Sequence, residues 1–440
     1  MARRRRHEPE TALITAVTHD GRGIAEIEGK KVFVGGALRG ERVSFIRRSY
    51  KRNFDEAELL EVHEAVAARI TARCAAFGRC GGCVLQHVTD EQQRAIKFQA
   101  LQDNLQRIGN VVPERWLEPL HAPGWHYRRR ARLAVKQVPG KGRVLVGFRE
   151  RHTPYITDMH RCEVLAKPVD GMLDALSEMI GRLTISARVP QIEVAVAENA
   201  VALVFRVLDA PGEADRALLR EFGAQHGVRI YLQPRGLDSV TLLDPDQAAE
   251  PLYYTLRAAQ LRIEFDPVGF VQVNSEINEK MVNQAIDLLA PQPQDRVLDL
   301  YCGIGNFSLP LARRCAAVLG VEGDAQLVRA AGHNAAVNKL TNASFRLADL
   351  GKIDGAEGWL HDGWDSVLLD PARNGAAEVV QHMHRIGARR IVYVSCHPGT
   401  LARDAGTLVR DQGFRLEAAG IIDMFPHTAH VESMALFSKA

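Results

Sequence analysis

From residue 297 onward, short apolar runs alternate with helical stretches, and nothing else in the chain restricts its fold as tightly. Residues 297–301 read as a strand and 307–314 open a helix. Residues 317–321 are the next strand, followed by a helix over 325–338. Residues 344–347, 366–369 and 390–394 read as further strands, with helices between the later ones. Short apolar runs bounded by turn residues suit strands buried on both faces. Their alternation with helices is βαβ rhythm, so the fold class is α/β with a largely parallel, doubly wound sheet. Such sheets bind ligands at the carboxyl ends of their strands, which is where the chemistry is to be sought.

The run 390–394, Arg-Ile-Val-Tyr-Val, leads straight into Ser395-Cys396-His397-Pro398. A thiol there can attack electron-poor carbon once deprotonated, whereas the plainer reading of a cysteine is packing. The first strand ends in Asp299-Leu300-Tyr301-Cys302-Gly303-Ile304-Gly305-Asn306-Phe307. Its glycines let the backbone turn sharply and approach a ligand, although Ser308 leaves the three-glycine dinucleotide fingerprint incomplete. The second strand ends at Glu322, placed for ribose hydroxyls; the third leads to Asp349, and the fourth to Asp370-Pro371-Ala372-Arg373. Acidic residues after successive strands fit a nucleoside better than a pyrophosphate. An adenosine with a cationic tail, as in S-adenosylmethionine, matches them. The plainer reading is that Glu322 and Asp349 cap the helices that follow.

Upstream, residues 11–62 read as short strands separated by glycine turns, the pattern of a small β-barrel. Residues 87–108 turn helical, prolines 113, 119 and 123 punctuate a connection, and 127–261 look like mixed strands and helices. The division expected is a basic tail and barrel over 1–68, a central α+β domain over 69–261, and the α/β domain over 262–440. A helix near 90–110 is expected to pack on that last domain. The net charge of +3 names no partner, but basic residues cluster at 3–6, 47–52 and 126–132, and two of these runs contain an aromatic. That combination suits nucleic acid. No apolar stretch approaches the roughly 20 residues of a membrane span, and no signal core follows the basic start, so the protein is expected in the cytoplasm. Cys74, Cys80 and Cys83 form C-x5-C-x2-C among Gly78, Gly81 and Gly82, and Cys162 follows far downstream. Four thiolates suit an iron–sulfur cluster or a structural zinc. Cys302 and Cys315 fall outside the set.

The segments 299–306, 369–373, 394–398 and Phe425-Pro426-His427-Thr428-Ala429-His430-Val431-Glu432, with Phe270-Val271-Gln272-Val273-Asn274 upstream, resemble the RNA 5-methyluridine methyltransferases. The resemblance implies a class I, Rossmann-like methyltransferase domain using S-adenosylmethionine. It implies that Gln272, Tyr301, Asn306, Glu322, Asp349 and Asp370 contact or position that cofactor. It also makes Cys396 the nucleophile and Glu432 the general base. The cysteine pattern, read through the family, implies a [4Fe–4S] cluster on Cys74, Cys80, Cys83 and Cys162. The first 60 residues resemble the OB-like, RNA-binding TRAM barrel. Together these imply a substrate in 23S ribosomal RNA, free or partly assembled, with no membrane and no obligate protein partner. A tRNA uridine is the alternative. A non-catalytic RNA-binding protein is a third reading, and Cys396 and Glu432 argue against it because a binding module needs neither.

Overall fold

The computed structural model describes residues 8–18, 20–244, 250–353 and 355–439, so the basic run at 3–6 lies outside the described residues. Two units divide the chain. One comprises Met1–Ala100, Arg149–Tyr155 and Phe425–His430; the other comprises Leu101–Phe148, Ile156–Met424 and Val431–Ala440.

The first unit opens with six strands: β1 (Glu10–Leu13), β2 (Ala16–Val17), β3 (Arg22–Ile27), β4 (Lys30–Gly35), β5 (Arg42–Tyr50) and β6 (Phe54–Glu64). They form one sheet in the order β1-β5-β6-β4-β3-β2. β1 pairs with β5 while β2, only three residues on, pairs with β3. The sheet's two ends therefore meet in one kinked stretch, and it closes on itself as the glycine-punctuated pattern predicts. Ile14, Ala25, Val32, Val34, Val43 and Phe45 fill the inside at 1% exposure or less. Gly23 is required there, because a Cβ would lie 2.9 Å from Ala37 and Ile14. The run at 47–52 is less available than its sequence implies, since Arg47 is held by Glu10 at 2.6 Å and Asp55 at 2.8 Å. Helix α1 (Asp90–Asn104) follows, and the chain passes within it from one unit to the other.

In the second unit, β7 (Arg115–Trp116) precedes β8 (Arg130–Val138), β9 (Arg143–Gly147), α2 (Leu173–Arg182), β10 (Gln191–Val196), β11 (Val201–Arg206), α3 (Glu213–His226), β12 (Val228–Gln233) and β13 (Thr241–Leu242). β8 to β13 make a mixed sheet in the order β13-β12-β11-β10-β8-β9. A hairpin of β14 (Leu252–Leu256) and β15 (Leu261–Phe265) then leads to α4 (Ser275–Leu289).

The alternating region becomes β16 (Arg296–Leu300), α5 (Ser308–Ala312), β17 (Ala317–Glu322), α6 (Ala325–Val337), β18 (Ala343–Leu347), β19 (Ser366–Leu369), α7 (Ala377–Val380), α8 (Met383–Ile386), β20 (Arg390–Ser395), α9 (Pro398–Arg410), β21 (Arg415–Ile422) and β22 (Glu432–Ser438). These strands and β7 form an eight-stranded sheet in the order β18-β17-β16-β19-β20-β22-β21-β7. β16 to β20 are mutually parallel, and β22 runs antiparallel to both its neighbours. Strands 297–300, 367–369 and 391–393 are almost wholly buried, which is why they read as continuous apolar runs. β16 pairs with β17 on one side and β19 on the other, so the strand order reverses there and opens a crevice beyond the carboxyl ends.

Candidate active site

The loop after β16 needs three left-handed residues in five, Tyr301 (φ 65°), Gly303 (54°) and Gly305 (92°), before α5 begins at Ser308. Glu322, at the end of β17, accepts from Gly303 N at 3.0 Å, Gly323 N at 2.7 Å and Asp324 N at 3.1 Å. It is not the cap of α6; that is Asp324, whose side chain accepts from Gln326 N and Leu327 N. Nor does Asp349 cap a helix. It is exposed beyond β18, bonded to Gly351 N at 3.0 Å and paired with Lys352, and its field reaches Tyr301. Burial first, then the surrounding carboxylates, push the Tyr301 hydroxyl pKa up. Asn306 is fixed by a reciprocal amide pair with Asn278, at 2.9 and 3.0 Å, and by the Tyr254 hydroxyl at 2.8 Å.

Beneath the loop lies Asp299, wholly buried, with Ser308 Oγ donating to Oδ2 and no hydrogen-bond partner for Oδ1 among the described residues. Burial pushes its pKa up to about 7, reinforced by Asp370 and Glu322. Burial likewise pushes Asp370, just past β19, up to about 7. Cys302 is 4% exposed with its thiol pushed far up by burial, so it packs and does not react.

Cys396 follows the last residue of β20, and Glu432 is the first residue of β22. The last pair of these antiparallel strands is Ser395 opposite Ser433, so Cys396 and Glu432 face each other one register step beyond. Glu432 is 7% exposed, not the surface strand residue it could have been. The Cys396 thiol is half-buried; burial, then Glu432 and Asp370, raise its pKa, and Arg373 opposes them. Thiol, carboxylate pair and guanidinium thus share one electrostatic neighbourhood.

Sequence reasoning missed the residues that hold these groups. Asp404 of α9, 1% exposed, accepts from Tyr393 Oη at 2.7 Å and Ala376 N at 2.8 Å. Arg403 Nη2 donates to Asn374 O at 2.9 Å and Thr400 Oγ1 to Arg373 O at 3.2 Å, so α9 pins the loop that carries Asp370 and Arg373. Arg129 donates Nε to Gln272 O at 2.7 Å and stacks on Tyr254 with its guanidinium carbon 4.5 Å from the ring centre. Arg129 corrects one expectation: it is 5% exposed, so it is a support and not part of a surface strip for phosphates. In that strip Arg132 is exposed, and it pairs with Glu193 at 2.9 Å.

In the first unit, the Cys74–Cys83 loop sets Gly82 N 3.4 Å from Cys80 Sγ, and the Arg151 guanidinium feels the fields of Cys80 and Cys83. One backbone N–H and one cation thus stand near these sulfurs. Among the described residues no group of three or more His, Cys, Asp or Glu is arranged to hold a metal ion. Cys162 is buried in the second unit, where its N–H donates to Asp170 O at 2.9 Å.

The sequence model of the family described as tRNA (Uracil-5-)-methyltransferase matches residues 91–351 and 360–440. The chain belongs to this family. The match contains the crevice, Cys396 and Glu432; the barrel and Cys74, Cys80 and Cys83 precede it. Among relatives of the family, a protein of Alkalilimnicola ehrlichii named 23S rRNA (uracil(1939)-C(5))-methyltransferase RlmD is 49% identical, over 100% of this chain and 99% of its own. One of the same name from Methylococcus capsulatus is 47% identical over 98% and 97%. The Pyrococcus abyssi tRNA (uracil-54, C5)-methyltransferase, solved with S-adenosyl-L-homocysteine, aligns with a TM-score of 0.73 at 22% identity, over 97% of this chain and 100% of that one. The methyltransferase fold is thereby shared with that solved structure.

Proposed function

We propose that this family member methylates C5 of a specific uridine in 23S ribosomal RNA. The observation that carries the chemistry is the facing of Cys396 and Glu432 at the ends of β20 and β22, beside Asp370. The substrate assignment rests on full-length relatives at 47–49% identity whose names specify that reaction. When bound, S-adenosylmethionine supplies an electrophilic methyl group on a sulfonium sulfur. The residues at these strand ends suit it: Glu322 ends β17, Tyr301 and Asn306 lie in the turn after β16, and Asp370 follows β19, the positions where such sheets take their ligands. Gln272 and Asp349 are assigned to the same cofactor.

Uracil C5 is too electron-poor to take a methyl group unaided. The Cys396 thiolate adds to C6, forming a C–S bond and driving the C5=C6 electrons toward the C4 carbonyl. The resulting enolate carries charge at C5, which attacks the methyl group as its bond to sulfur breaks. Glu432 then takes the C5 proton. The C5–H electron pair re-forms C5=C6 and expels the Cys396 thiolate, leaving 5-methyluridine, S-adenosylhomocysteine and one proton. The target base has to leave its stack to reach Cys396.

Residues 1–68 are assigned as a basic tail and an OB-like TRAM barrel that binds folded RNA, 69–261 as the central domain and 262–440 as the catalytic domain. Cys74, Cys80, Cys83 and Cys162 are assigned to a [4Fe–4S] cluster; anaerobically purified protein should then contain about four irons, and stoichiometric zinc without iron would refute it. The protein is placed in the cytoplasm with its ribosomal RNA, free or partly assembled. Among the described residues no helix is long and apolar enough to cross a membrane. Methyl incorporation into protein-free 23S RNA, compared with tRNA transcripts, tests the substrate. Labelling of 23S RNA at one uridine is expected, and labelling of tRNA alone would overturn the assignment.

A further inference from the structure

Helix α1 buries two polar side chains one turn apart. Gln93 and Lys97 are each 1% exposed, and a buried ammonium or amide is costly unless it is bonded. Residues four apart share one helix face, so both point to the same neighbour. That neighbour is the turn Phe425–His430.

Gln93 is used at every polar atom. Its Oε1 accepts from His427 N at 2.8 Å. Its Nε2 donates to Val88 O at 2.9 Å and lies 3.2 Å from His427 Nδ1, which accepts in the tautomer protonated at Nε2. Val84 N and Leu85 N donate to His427 O at 2.9 and 3.0 Å. Lys97 Nζ donates to Phe425 O at 2.9 Å, and Thr428 Oγ1 donates to the same carbonyl at 2.9 Å. His427 needs this restraint because its φ of 65° is left-handed, a conformation disfavoured for a residue with a Cβ.

The turn ends two residues before Glu432. Downstream, Glu432 is fixed by its pairing with Ile422. Two residues of chain reach no further than about 7 Å, so a shift of the turn is passed to the carboxylate with little slack.

We infer that Gln93 and Lys97 are positioning residues for the catalytic base, holding the Phe425–His430 turn so that Glu432 meets the C5 proton. This rests on the assignment of Glu432 as base made above. The pair acts on the last chemical step alone, because Cys396 addition and methyl transfer precede proton loss.

The test separates those steps. With 5-fluorouridine RNA the reaction stops at the methylated adduct, since fluorine cannot leave as a proton does, so adduct formation needs Cys396 and methyl transfer but no base. Gln93→Glu keeps the acceptor and loses both donors, and Lys97→Met removes the second bond. Each should lower kcat about 10-fold or more, as a displaced base of this kind does, with KM for RNA within about 3-fold. Each should also accumulate methylated covalent adduct on ordinary RNA, seen on denaturing gels, while the rate of the 5-fluorouridine adduct stays near that of the parent. Lys97→Arg, which can keep the bond to Phe425 O, should restore turnover. Normal turnover in both variants, or parallel slowing of both steps, overturns the inference. If one variant does not fold, the other decides. Glu432→Gln must likewise accumulate methylated adduct on ordinary RNA without slowing formation of the 5-fluorouridine adduct. If it does not, the base assignment fails and takes the inference with it; if it does and the α1 variants do not, the inference alone fails.

Discussion

At Cys396 the resting field opposes ionisation: burial raises the thiol pKa, Glu432 and Asp370 raise it further, and Arg373 only partly offsets them. On the proposed mechanism, the carboxylate that finishes the reaction therefore slows its start. Glu432→Gln removes one of the opposing charges, so alkylation of Cys396 by iodoacetamide near pH 8 should speed up severalfold, while methyl turnover stops. Alkylation slower than in the parent would contradict this electrostatic picture. Asp299 makes a second test. Burial lifts its pKa from an ordinary 3.8 to about 7, so between those values the folded chain keeps a proton that the unfolded chain has lost. Stability then falls as pH rises through that window and is lowest, on this account, above about pH 7. Asp299→Asn abolishes the titration, so its Tm advantage over the parent should grow from pH 5 to pH 8. A difference that is flat with pH would show that the buried carboxyl does not titrate there.

Among the elements, α9 holds the proposed reacting groups to one another. Its first turn follows Cys396, and Asp404 and Arg403 farther along hold the 370–376 loop. Gly375 (φ 77°) lets the loop lie this close, since a Cβ would fall 2.6 Å from Asp404 Oδ2. Asp404→Ala would leave the Tyr393 hydroxyl and the Ala376 N–H buried without their shared acceptor. Because Ala376 N also donates to Tyr393 Oη at 3.1 Å, one stranded hydroxyl remains, and a loss of about 1–3 kcal/mol is expected, seen as a lower Tm, together with slower 5-fluorouridine adduct formation. An unchanged Tm would refute it. How much of this could be read in the sequence follows from which forces dominate each stretch. β17, β19 and β20 were legible because burial on both faces forces nearly unbroken apolar runs. β21 was not: Gly420 interrupts its pattern, and the glycine is there because a Cβ would lie 2.6 Å from Leu117 Cβ. β6 was covered only by the general reading of 11–62 as strands, because its Glu, Ala and Leu favour helix until cross-strand pairing with β4 and β5 overrides them. Cys396, Glu322 and Asp370 stood out through their place at strand ends. Gln93, Lys97, Asn278 and Asp404 did not, since they act on backbone or side-chain atoms up to several hundred residues away in sequence and carry no local spacing. The only local signal was polar residues at apolar helix positions, which without coordinates cannot be told from a solvated face.

At the scale of the whole molecule, the chain crosses between its two units five times, after residues 100, 148, 155, 424 and 430. The first unit is therefore not a detachable module. Arg149–Tyr155 and Phe425–His430 belong to it, yet both lie within the sequence span of the second. Gly81 N donates to Arg149 O, Arg151 N to Arg79 O, and Val84 N and Leu85 N to His427 O, at 2.9–3.0 Å. A fragment starting at residue 101 keeps Cys396, Glu432 and every strand of the large sheet, but loses all of these partners. Each stranded backbone group, if left buried, costs about 1–3 kcal/mol, and together such losses rival a domain's net stability of roughly 5–15 kcal/mol. The fragment is thus expected to show no cooperative thermal transition and no methyl transfer, although it contains nearly all of the family match. Calorimetry of the fragment beside the full chain checks this. A sharp transition, with S-adenosylhomocysteine binding within about 3-fold of the full chain, would mean that the second unit folds on its own and that residues 1–100 serve RNA binding alone.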